Sequence, residues 1–169
     1  MKKIFLLLIL FQFNYCLNAQ QYIAQSLAGY NRVGVYLNPS FSVKLNHHHL
    51  NFGLNIYGYN LFFQSNNIGV KLGYGYIIKS INEKVYFYPS INIAAYREDK
   101  ITSSLLLFET NLKYGLAYYL KPKLSLVTEL GMGYIMTKTE LFQINKTKQN
   151  AYTNFEISLG LAYHFTRAK

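Results

Sequence analysis

The chain has 169 residues, of which 51% are apolar and 17% aromatic, with 17 Lys+Arg against 7 Asp+Glu for a formal charge of +10. That length suits one domain, and a single cysteine, Cys16, excludes a disulfide framework. No apolar run after the start approaches the ~20 residues of a membrane-spanning helix, which excludes helical spans.

The first residues are expected to be an export signal. Lys2 and Lys3 supply a basic start, residues 4–11 an apolar core, and Leu17-Asn18-Ala19 a small-residue end, placing cleavage between Ala19 and Gln20. The domain then spans 20–169, and loss of Lys2 and Lys3 lowers the charge from +10 to +8. Cys16 leaves with the signal, because the bulky Phe13-Asn14-Tyr15 before it is unlike a lipid-anchoring site. For an exported chain, a basic balance favours anionic lipid head groups or lipopolysaccharide phosphates as neighbours, and no nucleic acid is expected.

A two-residue rhythm follows, which places alternate side chains on opposite faces of β-strands. A first strand is expected at 22–28, turning at Gly29-Tyr30-Asn31, with poor alternation. From 33 to 45 every odd position is apolar: Val33, Val35, Leu37, Pro39, Phe41, Val43 and Leu45. Further runs cover 50–63, 68–78, 85–96, 105–120, 124–136 and 151–165. Apart from the first, each reaches the ~9–11 residues of a tilted membrane strand, and no stretch has a helical period. Pro39 and Pro89 each predict a lost ladder bond within a strand rather than a strand end.

The short connections at 46–49, 80–84 and 121–123 fall on the side of both chain ends. Loops at 97–104 and 138–150 are longer and predicted to face outward, with 64–67 a short exception.

Charge decides which face meets lipid. The apolar faces carry none, whereas the opposite faces carry Arg32, Lys44, Lys71, Glu109, Lys113, Glu129 and Glu156. A lipid-facing Lys or Arg near the bilayer centre costs roughly 2–4 kcal/mol, so the apolar side should face outward and the charged side a lumen. Narrow eight-stranded barrels are filled by their own side chains, and buried charges must pair, so these seven residues are expected to form a structural polar network. Aromatic residues near strand ends, among them Tyr59, Phe62, Phe63, Tyr76, Tyr86, Tyr119, Tyr134 and Phe165, suit interfacial girdles. The expected fold is all-β: an eight-stranded antiparallel up-and-down (meander) transmembrane β-barrel, monomeric.

In this pattern the chain resembles the small outer-membrane β-barrel proteins of Gram-negative bacteria. Its basic start and Ala19-Gln20-Gln21 junction resemble those of Bacteroidota members. The likeness spans the domain but rests on pattern, not on a motif. It implies residence in the outer membrane among its lipids and lipopolysaccharide. It also implies assembly by the outer-membrane insertion machinery, which reads a terminal aromatic; Tyr163-His164-Phe165 is similar, although residues 166–169 extend beyond it.

No catalytic, cofactor or metal site is expected. His47-His48-His49 has the residue type of a metal site, but adjacent side chains on a turn diverge. Paired carboxylates among Glu109, Glu129 and Glu156 could serve acid/base chemistry, yet a salt-bridged plug needs the same residues. The expected role is therefore non-enzymatic: envelope integrity, or surface interaction through 97–104 and 138–150. One alternative is a lipid A-modifying enzyme, resembling the deacylases and palmitoyl transferases of this fold class. All four histidines map to the periplasmic end, however, away from outer-leaflet lipid. The other alternative, a soluble lipocalin-like carrier, would require the faces to be inverted.

Overall fold

Alternation closes the chain on itself. A computed structural model describes residues 21–60, 67–79, 84–99, 103–142 and 146–165. The strands are β1 (Gln21–Asn31), β2 (Gly34–Leu45), β3 (His48–Asn60), β4 (Asn67–Tyr76, continued by Ile78–Lys79), β5 (Val85–Asp99), β6 (Ser103–Lys121), β7 (Leu124–Leu141) and β8 (Lys146–His164). Each pairs antiparallel with its chain neighbours, and β1 pairs with β8 from Ile23↔His164 to Asn31↔Glu156. The result is a closed eight-stranded antiparallel meander barrel, which leaves no open edge through its middle. The expected signal at 1–19, the tail at 166–169 and the centres of four turns lie outside the described residues.

Both ends of the described chain lie at the same barrel end as the turns 46–47 and 122–123. We call this the terminal end and its opposite the outer end. Asn46 takes the left-handed conformation (φ 54°) that a tight turn requires. Pro39 lies within β2 without breaking it, because the Asn38 side chain donates to the Leu54 carbonyl at 2.8 Å and replaces the bond that proline cannot make.

The outside is apolar. Leu112, Leu130, Met132, Phe155, Ile157 and Leu159 are all more than half exposed, and no Lys, Arg, Asp or Glu interrupts their faces. In water such a surface would be untenable; in hydrocarbon it removes any cost of burial. The inverted, lipocalin-like arrangement is excluded by this orientation.

Three local expectations change. Arg32 and Val33, expected on β2, form the β1–β2 bend: Arg32 is exposed, and Val33 is fully buried instead of facing lipid. The predicted loops 97–104 and 138–150 are mostly ladder, pairing Asp99↔Ser104 and Leu141↔Lys146. Tyr86 and Tyr119 pack edge-to-face with each other (centroids 5.2 Å) and line the terminal mouth.

Inside, the side chains form layers. An apolar and aromatic layer at the outer end joins Val33, Tyr36, Tyr57, Tyr96, Leu107 and Ile135. A second layer towards the terminal end joins Ile23, Leu27, Ile77, Tyr88, Val127 and Ala162. Glu109 and Lys113 of β6, Glu129 of β7 and Glu156 of β8 are buried with them.

Candidate functional site

The site is this buried charge layer. Alternation on β6 turns Glu109, Asn111 and Lys113 inward, and the β6–β7–β8 register brings Glu129 and Glu156 alongside them. Lys113 joins two carboxylates: its ammonium is 3.2 Å from Glu129 Oε2 and also contacts Glu156 Oε1. Glu156 further accepts from the Tyr36 hydroxyl and, at 2.8 Å, from Asn111 Nδ2. Glu129 accepts from the Tyr88 hydroxyl at 2.9 Å and from Ser158 at 3.5 Å.

Among the described residues, no cation contacts Glu109. Its Oε1 instead accepts from three carboxamides, Asn31 (2.9 Å), Asn111 (2.6 Å) and Asn154 (2.6 Å), and its Oε2 accepts from Tyr96 at 3.0 Å. Several donors to one buried carboxylate replace its hydration, each bond to a charged group contributing about 1.5–3 kcal/mol. Asn31 also works in the other direction: its Oδ1 accepts from the backbone N–H groups of Val33 and Gly34 at 2.9 and 3.2 Å. One carboxamide thus fixes the β1–β2 turn and links it to the lumen.

Three tyrosine hydroxyls reach three glutamates by the same construction. Tyr36, Tyr88 and Tyr96 each lie opposite a glycine of the adjoining strand, at Gly29↔Tyr36, Tyr88↔Gly115 and Gly69↔Tyr96. A Cβ on any of these glycines would overlap the facing tyrosine. The missing side chain lets each ring lie flat along the barrel wall, which aims its hydroxyl at Glu156, Glu129 or Glu109 respectively.

Of the seven residues picked out by sequence, five are buried here: Lys71, Glu109, Lys113, Glu129 and Glu156. Lys71 makes its contact with Asn38 Oδ1 at 3.5 Å, not with a carboxylate. Arg32 stands outside the layer, over the Tyr152 ring at 4.9 Å, because the bend removes it from the inner face. Lys44 lies towards the terminal mouth, 5.2 Å over the Tyr86 ring. The asparagines and tyrosines were missed. Their signal is an inward tyrosine facing an inward glycine once the register is known.

Among the described residues the layer is tightly filled. A cavity beside Lys71, Tyr88 and Glu129 measures about 10 Å³, room for one water. A concavity of about 860 Å³ lies on the outside, lined by Tyr30, Ile91, Leu112, Leu130 and Phe155. It is a mostly apolar, lipid-facing hollow, and Lys113 and Glu156 also border it.

The histidines diverge. His47 Nδ1 contacts the Ile77 carbonyl at 3.0 Å, His48 Nδ1 contacts Tyr74 Oη at 2.7 Å, and His49 turns inward against Tyr88. His164 lies between Ser125 (2.9 Å) and Tyr119 (3.3 Å). At the outer end, beyond the apolar belt, Ser104 and Arg97 hold the Asp99 carboxyl below the usual carboxylate range by hydrogen bonding.

No protein-family model and no curated protein matches the sequence. By structure, the chain is similar to the N-terminal β-barrel domain of Pseudomonas aeruginosa OprF, with TM-score 0.60 and 12% identity over 87% of this chain and 98% of that one. It is also similar to Neisserial surface protein A (NspA), with TM-score 0.52 and 16% identity over 87% and 98%. A de novo designed transmembrane β-barrel gives TM-score 0.55 and 16% identity over 86% and 96%. The designed relative shares the architecture without an inherited activity, so the fold by itself assigns none. The chain has the fold of the small outer-membrane β-barrels.

Proposed function

We propose that this protein is a non-enzymatic, monomeric outer-membrane barrel that acts in envelope integrity or surface interaction through its outer hairpins. One observation carries the reading: an apolar belt, free of charge among the described residues, surrounds a lumen filled by a hydrogen-bonded charge layer between two apolar layers. Such a cylinder is fitted to anchor and present, because the side chains of the described residues fill its lumen.

The presented part is the β7–β8 hairpin. Beyond Asn31↔Glu156, β8 keeps only β7 as a ladder partner, so the segment from Lys146 to Phe155 rises above β1. Lys146 and Lys148 are exposed there, whereas Lys138 is paired with Glu140 at 2.6 Å. These two lysines favour lipopolysaccharide phosphates or an acidic partner. The terminal strand, ending in Tyr163 and His164 with Phe165 after it, suits recognition by the insertion machinery. The Ala19-Gln20-Gln21 junction supports a signal of the Bacteroidota kind.

Fractionation tests the reading directly. The protein should partition with the outer membrane and migrate differently with and without heating, and trypsin added to whole cells should cut at Lys146 or Lys148. Recovery in the soluble periplasm would overturn it. A change in lipid A mass on deleting the gene would reverse the non-enzymatic part.

A further inference from the structure

We propose that the terminal mouth of the barrel binds one small monovalent anion, of halide or formate size. A cavity of about 40 Å³ opens there, lined by Lys44, His49, Tyr86, Tyr119, Ser125 and His164 among others, with no acidic residue in its lining. At ~10–15 Å³ for each water-sized occupant, it holds a few waters or one compact ion, and larger oxyanions are excluded.

Two independent features favour an anion as the occupant. The Lys44 ammonium faces only the Tyr86 ring and forms no ion pair among the described residues. His49 is buried and its Nε2 has no hydrogen-bond partner. A buried nitrogen without a partner, beside a partly buried cation without a counter-charge, is a costly combination. A single anion that accepts from the ammonium and from His49 removes both defects. His164 does not compete for it, since Ser125 and Tyr119 engage both ring nitrogens. Glu129 cannot supply the charge either, because Lys113, Tyr88 and Ser158 hold it.

The test is histidine ring ¹⁵N NMR on the chain refolded in detergent micelles, titrated with sodium bromide or formate at constant ionic strength maintained with sodium gluconate. The His49 signal should shift saturably with bromide or formate and stay unmoved in gluconate alone. Lys44→Met, checked for heat-modifiable migration, should weaken binding at least tenfold. A response shared by gluconate, or equal affinity in Lys44→Met, overturns the proposal; a His49 signal that no anion moves shows that the cavity holds water only. Should the variant not fold, bromide-soaked crystals of the unaltered protein decide the matter. Anomalous density beside His49 Nε2 supports the site, and its absence refutes it.

Discussion

The Tyr88 ring lies across Gly115, its cross-strand partner, and this contact aims the Tyr88 hydroxyl at Glu129, 2.9 Å away. An alanine at 115 would place a methyl group inside the ring, and the β5–β6 ladder leaves the backbone little room to yield. Overpacking of this kind costs about 1–3 kcal/mol. Gly115→Ala should therefore lower the urea midpoint of the barrel in lipid vesicles by a corresponding amount. Because the glycine acts through the tyrosine, Gly115→Ala and Tyr88→Phe should be non-additive in a double-mutant cycle. Additive losses would show that the glycine serves some other purpose.

Lys113 is the only ammonium in contact with carboxylates within the layer, among the described residues. Lys113→Met removes the one cation in contact with both Glu129 and Glu156. Breaking a buried pair by deleting one partner costs about 3–5 kcal/mol. Adding Glu129→Gln and Glu156→Gln to Lys113→Met should recover much of that loss, since the lone charges are gone. Equilibrium unfolding of the single and triple variants checks both statements; a triple variant no more stable than the single would mean that packing, not charge, is lost at 113.

The barrel was legible in the sequence wherever hydrocarbon and lumen impose opposite demands on alternate residues. It was least legible on β1. There the inward face carries Ile23 and Leu27 of the apolar layer together with Gln21 and Gln25, while outward positions hold the small Ala24, Ser26 and Ala28. Hydropathy alternation is weak when the plug is apolar and the lipid side small. Residues 138–150 looked like a loop because a hairpin beyond the membrane has water on both faces, so pairing persists while alternation fades. Parity alone placed Glu109, Glu129 and Glu156 inward. Parity could not show which donors meet them, since Asn31 and Glu109 are joined only by the closure of β1 on β8.

Orientation makes a separate demand on the outside. Leu112 and Leu130 are 63% and 59% exposed and lie level with the charge layer, beside Lys113 and Glu129. Leu130→Arg should cost roughly 2–4 kcal/mol in a bilayer, the value for a cation near the midplane. A Thr147→Arg substitution, at an exposed position in the hairpin beyond the belt, should change stability by less than about 0.5 kcal/mol, as is usual for surface sites. Refolding yields and urea midpoints in vesicles compare the two. Equal costs would mean that the apolar face does not meet lipid.

The lumen is closed three times in series, and this governs conductance. Tyr57 and Leu107 are fully buried in the outer layer, Leu27 and Val127 are buried in the terminal one, and the salt-bridged carboxylates lie among them. For barriers in series the largest sets the current, so opening one layer leaves the others in control. The unaltered protein in planar bilayers should show no steady large conductance. Tyr57→Ala with Leu107→Ala should remain closed, as should Leu27→Ala with Val127→Ala. Combining the four substitutions wets the charge layer from both ends, where water loosens its ion pairs by raising the local dielectric. Conductance should then rise well above the sum of the two double variants. A steady large current through the unaltered barrel would mean that the packed lumen opens in the membrane.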